Sequence, residues 1–265
     1  RNADLLKKYE ALYPRVKKTL HAEEVLQDES TDAVVIATPP ATHYALAKQA
    51  LSCGKHVLVE KPLALSAREG EELVELARRQ KKILMVGHLL HYHNAVIKLK
   101  ELVEKGELGK IRYVYSNRLN IGKIRSEENI LWSFAPHDIS VILMLLDEFP
   151  EAIHTAGASY LQRGIMDTTF TMMDFPSGVK AHIFVSWLHP FKEQKLVVVG
   201  ERKMAVFDDV GEEKLVLYPH RVDWIGRVPV ASKAEAEKVS LAEDEALVRE
   251  CRHFIECIRH GRIPK

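Results

Sequence analysis

Cysteine is scarce: the 265 residues hold three, Cys53, Cys251 and Cys257. An odd number without C-x-x-C spacing argues against a disulfide framework and against a cysteine zinc site. Each reads instead as a small buried apolar residue in a reduced compartment. Net charge is nearly absent: 38 basic side chains face 37 acidic ones, for a formal charge of +1. That leaves no electrostatic footprint for nucleic acid. Long hydrophobic runs are missing too. Stretches such as 33–37 and 143–146 fall far short of the roughly 20 residues that span a bilayer. No charged-then-apolar leader opens the sequence, so the expected location is cytoplasmic. Repeats and low-complexity tracts are absent. Finally, none of the 13 glycines builds a G-x-G-x-x-G turn.

What remains is an ordinary globular composition, 46% hydrophobic and 28% charged, long enough for two domains. The first half alternates helix and strand. Apolar spacing predicts a helix over 2–13, with Leu5, Leu6, Tyr9 and Leu12 on one face, and a short one over 23–26. A continuous apolar run over 32–38 reads as a strand buried on both faces. Pro39 and Pro40 stop it, and a helix follows over 42–51, ended by Gly54. A second strand over 56–60 leads through a Ser66/Glu69 capping box into a helix reaching Gln80. A third strand covers 82–87, and a helix over 95–105 ends at Gly106. Strands separated by helices of this length imply crossovers and a parallel sheet. With no glycine-rich turn in view and a first segment that is already helical, the first strand and phosphate cradle are expected to lie before Arg1; residues 261–265 read as a loop leading onward.

Near Gly109 the texture changes. Residues 111–119 alternate, a helix is expected from about Pro136 to Leu146, and strands follow near 153–158, 168–175, 179–186, 195–199, 204–208 and 214–218. Pro176-Ser177-Gly178 is a turn signal. An amphipathic helix over 241–259 closes the sequence. The predicted fold is thus an α/β Rossmann-type parallel-sheet domain over 1–108, followed by an α+β domain with an open, mostly antiparallel sheet over 109–265.

Open parallel sheets bind ligands beyond the carboxyl ends of their strands. Here those ends carry Thr38-Pro39-Pro40, Glu60-Lys61-Pro62 and Gly87-His88. The segments V-V-I-A-T-P-P-A-T-H, H-V-L-V-E-K-P-L-A and M-V-G-H together resemble the Gfo/Idh/MocA family. The resemblance runs from Leu5 to Pro264 and implies a Rossmann domain, a substrate domain on an open sheet, and NAD or NADP. It places the cofactor at Thr38, Pro39, Pro40, His43, Glu60, Lys61 and His88. It gives Lys61 a contact to substrate and cofactor and a part in proton transfer; the peptide before Pro62 is often cis in the family.

A lysine suits that task chemically. Oxidising a secondary alcohol sends a hydride to the nicotinamide and a proton to a base, and a free lysine at about 10.4 must be lowered to serve near neutrality. Either Lys61 does so, or it stays charged and orients the hydroxyl while another group takes the proton. His137 is that other candidate, because the segment through Ser133-Phe-Ala-Pro-His137-Asp138-Ile-Ser140 resembles the family's D-x-x-x-H-x-x-D pattern, whose histidine is the acid/base. Ser133 and Ser140 stand where the family often has aspartates, and Asp138 is the carboxylate left to compensate. Substrate contacts are expected from Lys61, Tyr92, Arg118, Asn120, Arg125, Trp132, His137 and Asp138. Arginine grips phosphate, asparagine bonds hydroxyls and tryptophan stacks. The whole block from Asn117 through Ser133-Phe-Ala-Pro-His-Asp-Ile-Ser140 resembles members that act on sugar nucleotides, such as UDP-N-acetylglucosamine 3-dehydrogenases.

The rival reading is a metal-dependent hydrolase or isomerase using His88, His91, His93, His137 and Asp138. Strand alternation would scatter those rings, and the expected metal is none. A third reading is a non-catalytic ligand sensor on the same fold. Neither a membrane nor nucleic acid is an expected partner; a small sugar or sugar nucleotide is. The bare face of the second sheet predicts a homodimer or homotetramer. Lys61 and His137 are expected to meet one substrate hydroxyl.

Overall fold

The computed structural model describes residues 3–265. Contacts divide the chain into two compact units, Arg1–Gly87 with Cys251–Lys265, and His88–Glu250.

In the first unit the elements are α1 (Ala3–Leu12), α2 (Ala22–Gln27), β1 (Ala33–Ile36), α3 (His43–Ser52), β2 (His56–Glu60), α4 (Ala67–Gln80) and β3 (Leu84–Gly87). The predicted start of the first helix at Asn2 lies outside the described residues. The strands pair in parallel in the order β1-β2-β3, as the crossovers require. The central strand β2 buries Val57, Leu58 and Val59. Leu51, Leu73 and Ala77 from α3 and α4 pack with Val57 and Val59 in one apolar cluster. Among the described residues β1 pairs with β2 alone, and its Val35 is 61% exposed while Ile36 is buried. The Ser66 cap forms as predicted, its side chain accepting from Glu69 N–H at 3.3 Å. Glu69 answers one residue earlier than a standard capping box, accepting from Leu65 N–H.

The second unit carries α5 (Asn94–Glu104), β4 (Ile111–Leu119), α6 (Ile130–Leu146), β5 (Ala152–Ala158), β6 (Thr168–Asp174), β7 (Lys180–Ser186), β8 (Glu193–Gly200), β9 (Met204–Asp208), β10 (Leu215–Tyr218), β11 (Arg221–Ile225), β12 (Val228–Ser232) and β13 (Glu237–Lys238). Helix α7 (Ala246–His260) begins here and from Cys251 counts with the first unit. Eight strands form one sheet in the order β13-β10-β9-β8-β4-β7-β6-β5, antiparallel except for the β4/β7 pair. One face meets α5 and α6 over a core of Leu99, Val114, Ile142, Ile183, Trp187, Leu196 and Phe207. Gly200 allows β8 to end against the preceding turn: a Cβ there would sit 2.2 Å from the Leu108 carbonyl oxygen.

Helix α6 starts at Ile130, not near Pro136. Asn129 caps it, accepting from Trp132 N–H at 3.1 Å, and the proline lies inside. His137 is therefore well within the helix rather than at its start. Among the described residues no helix is long and apolar enough to cross a membrane.

Candidate functional site

In the first unit the adjacent parallel strands β1 and β2 bring their carboxyl ends side by side. Past β1 the chain turns at Thr38-Pro39-Pro40, with Thr38 Oγ1 and Thr42 Oγ1 2.6 Å apart and Thr42 Oγ1 donating to the Pro39 carbonyl. Past β2 it runs through Glu60 and Lys61, both half-buried, to a cis Lys61–Pro62 peptide. His43 joins the two turns. Its Nε2 lies 2.7 Å from the Thr38 carbonyl oxygen and its Nδ1 2.7 Å from that of Pro62. At 1% exposure the ring holds the strand-end loops and has no surface for a cofactor, which corrects its expected role. Thr38 and Pro39 are exposed.

At the end of β3, Gly87 matters for space. A Cβ there would come within 3.3 Å of Glu60 Oε2 and 3.4 Å of the Glu60 Cα. The glycine lets β3 run close beneath the Glu60 carboxylate and leaves that carboxylate at the carboxyl edge. These strand-end groups, an exposed hydroxyl, a proline and a carboxylate beside a lysine, lie where open parallel sheets bind ligands, beyond the carboxyl ends of the strands. A glycine-rich phosphate turn is not among these residues.

In the second unit the histidines after β3 separate. The rings of His88 and His91 stack at 5.5 Å between centroids. His93 caps α5, its Nδ1 accepting from Ala95 N–H, and its ring lies edge-on to Phe207. Using that lone pair for a cap works against the metal trio. Among the described residues no three His, Cys, Asp or Glu side chains could hold a metal ion. Burial holds the His93 pKa below its ordinary value, against the pull of Asp209, 3.9 Å away. Tyr92, expected to meet substrate, is 6% exposed and belongs to the interior.

Arg118 and Asp138 come together, but with each other. Arg118 Nε donates to Asp138 Oδ2 at 2.8 Å and its NH2 to Oδ1 at 3.2 Å, with side-chain exposures of 7% and 3%. Ser116 on the same face of β4 donates to Asp138 Oδ1 at 2.7 Å. Burial alone would lower the Arg118 pKa; the charge and hydrogen bonds of Asp138 outweigh it, and the guanidinium is held above its ordinary value. Gln194, with its amide oxygen toward Arg118, accepts from NH1 at 3.2 Å and donates to Asp209 at 3.0 Å. Both expected substrate ligands are thus spent inside the unit. Ser116, Gln194 and Asp209 were not singled out from sequence. The available signal was a polar Ser116 and Arg118 on the same alternating face as Val114.

The remaining candidates lie around the start of α6. Trp132 is 42% exposed on its first turn, Arg125 pairs loosely with Glu128 at 3.9 Å, and Asn120 is bonded by its backbone to the Ser186 carbonyl. His137 is half-buried, and Ser140 Oγ donates to its carbonyl at 2.9 Å. The Ser140 hydroxyl is therefore turned back onto the helix.

Comparisons with known proteins agree with this architecture. The profile described as "Oxidoreductase family, NAD-binding Rossmann fold" matches residues 5–88, and that of the "GFO/IDH/MocA C-terminal domain" matches 96–206. The UDP-N-acetylglucosamine 3-dehydrogenase of Acidithiobacillus ferrooxidans is 29% identical over 233 residues, covering 87% of this chain and 71% of that protein. The scyllo-inositol 2-dehydrogenase (NAD(+)) of Bacillus subtilis is 26% identical over 254 residues, covering 91% of this chain and 71% of that protein. A solved structure of the Acidithiobacillus enzyme superposes with a TM-score of 0.84 at 25% identity, over 100% of this chain and 81% of its own. The chain belongs to the Gfo/Idh/MocA family of NAD-binding oxidoreductases.

Proposed function

We propose that the protein transfers a hydride between NAD or NADP and a secondary alcohol or ketone of a sugar nucleotide, with the 3-hydroxyl of UDP-N-acetylglucosamine as the substrate to try first. The observation that carries the reading is the pair of strand-end turns in the first unit, Thr38–Pro39 and Glu60–Lys61, set side by side by parallel β1 and β2 with the His43 ring wedged between the Thr38 and Pro62 carbonyls. The similarity to the Acidithiobacillus enzyme supports the choice of sugar nucleotide.

When bound, the nicotinamide supplies the hydride acceptor or donor. The chain's own residues do the rest. Thr38, Pro39 and Glu60 meet the cofactor. Lys61 offers a charged hydrogen bond that can orient a substrate hydroxyl, and His137 is the candidate for exchanging a proton with substrate. Trp132, Arg125 and Asn120 offer a stacking face, a cation and an amide for the nucleotide and sugar.

The test is reduction of NAD or NADP followed at 340 nm with UDP-N-acetylglucosamine, then with other sugar nucleotides, free sugars and inositols. Lys61→Met and His137→Ala should each cut turnover by about 10²-fold or more, within the range of positioned acid–base groups, while both variants stay folded. Native turnover in both would overturn the residue roles. Turnover on free sugars alone would overturn the substrate class.

A further inference from the structure

We infer that Asp138 is a positioning residue for His137, acting through its buried clamp on β4; the inference rests on the acid–base reading of His137 given above. Helix α6 has a weak point just before His137. Pro136 has no N–H, so the Trp132 carbonyl loses its i→i+4 donor, and the ring crowds the preceding turn. Backbone bonding alone therefore fixes the rotation of the following turn less firmly than in an unbroken helix. Two contacts compensate at this point. Ser140 Oγ donates to the His137 carbonyl. Asp138, the next residue, accepts from both Arg118 nitrogens and from Ser116, all three rooted in the same strand.

Consecutive helical residues point about 100° apart, from 3.6 residues per turn. Fixing the Asp138 carboxylate on β4 thus fixes the direction in which the His137 side chain leaves the helix. The fork geometry of arginine sets an angle as well as a distance. Arg118 is in turn held by Gln194, which also bonds Asp209 beyond the end of β9. The clamp is anchored across β4 and β8.

A purely structural ion pair and a positioning one predict different results. Exchanging a buried pair for apolar residues of similar volume often leaves stability unchanged or raised. Arg118→Met combined with Asp138→Met should therefore fold, with cooperative thermal unfolding. Two readouts follow. The first needs no substrate: the titration midpoint of the His137 Cε1–H signal by NMR in the cofactor-free protein. It should move, because the ring leaves the helix at a new angle into different surroundings and the neighbouring carboxylate is gone. The second is turnover with UDP-N-acetylglucosamine and NAD. It should fall by about 10²-fold, the size expected of a misplaced catalytic group, with the KM for NAD unchanged.

Ser116→Ala, which removes the hydroxyl shared between Asp138 and the Lys195 carbonyl and keeps the ion pair, should show both effects in smaller measure and serves where the double variant does not fold. An unmoved His137 midpoint in a folded variant overturns the proposal, as does a loss confined to the KM for NAD. The two layers separate. Native turnover in His137→Ala sinks the acid–base reading. A dead His137→Ala beside a fully active, folded Arg118→Met/Asp138→Met sinks the positioning role alone.

Discussion

His93 and His56 show how single side chains make stability depend on pH. His93 Nδ1 accepts from Ala95 N–H, and His56 Nδ1 accepts from Ile83 N–H at 2.9 Å. Acceptance needs an unprotonated nitrogen. Burial lowers both pKa values, Lys82 adding to the effect at His56, and burial does the same at His182. Below about pH 6.5 the unfolded chain takes up protons at these rings while the folded chain resists, so stability falls with falling pH from there down to the folded-state values. The melting temperature should drop between pH 7 and pH 5, and His93→Asn, which keeps a capping acceptor without a titrating ring, should flatten that slope. A rising melting temperature on acidification would contradict the assignment. At the Arg118–Asp138 pair the dominant quantity is desolvation rather than titration. Asp138→Asn strands a buried guanidinium and should cost about 3–5 kcal/mol in denaturant unfolding, in contrast to the paired apolar exchange.

Elements explain which parts of the fold and site were legible in sequence. The β2 run was readable because a central parallel strand buried on both faces is apolar throughout, β1 and β3 because they are short apolar runs bounded by turn residues, and Ser66 marked the start of α4. The start of α6 was misplaced by six residues because Pro136 looked like a first-turn proline, whereas the operative signal was Asn129 as cap; Asn129→Ala should cost about 1 kcal/mol of stability. The hairpin β11–β12 escaped notice because Pro229 interrupts its second strand, a residue that usually argues against one. The Thr38 and Lys61 turns stand out through the combined resemblance of their segments to the family, since E-K-P alone at a strand end reads as an exposed loop pair. The role of His43 was not, since T-P-P-A-T-H does not say that its histidine folds inward. His43→Phe keeps a ring of similar size but no donor. It should destabilise the first unit by about 1–3 kcal/mol for the one carbonyl that loses the ring's N–H, read by urea unfolding. It should also weaken turnover, because the Lys61 turn loses its tie to the Thr38 turn. Unchanged stability would mean that the two contacts contribute nothing.

At the scale of the second unit, the eight-stranded sheet has one face packed under α5 and α6 and, among the described residues of that unit, no helix on the other. Register places Tyr113, Tyr115, Phe170, Met172, His182 and Phe184 together on the second face. Phe170 and Phe184 stack at 4.2 Å, Tyr115 lies over His182 at 5.4 Å, and the Tyr113 hydroxyl hydrogen-bonds His182 Nδ1. Phe170 and Met172 are 54% and 55% exposed. Ion pairs, Lys180–Asp174 and Lys195–Asp208, lie on this face, on β6–β7 and β8–β9 to either side of β4. An aromatic centre with charged pairs toward its edges has the composition of an interface, apolar in the middle and polar at the rim. A contiguous patch of this kind is rarely left in water, and a flat face related to itself by a two-fold axis buries it twice with one set of residues. We propose that this face joins two copies into a homodimer, or a homotetramer built on it. Light scattering at micromolar concentration should give at least twice the chain mass. Phe170→Glu with Met172→Lys should yield a monomer that keeps its secondary structure, because both side chains point away from the core. A parent protein that is already a monodisperse monomer would overturn the proposal.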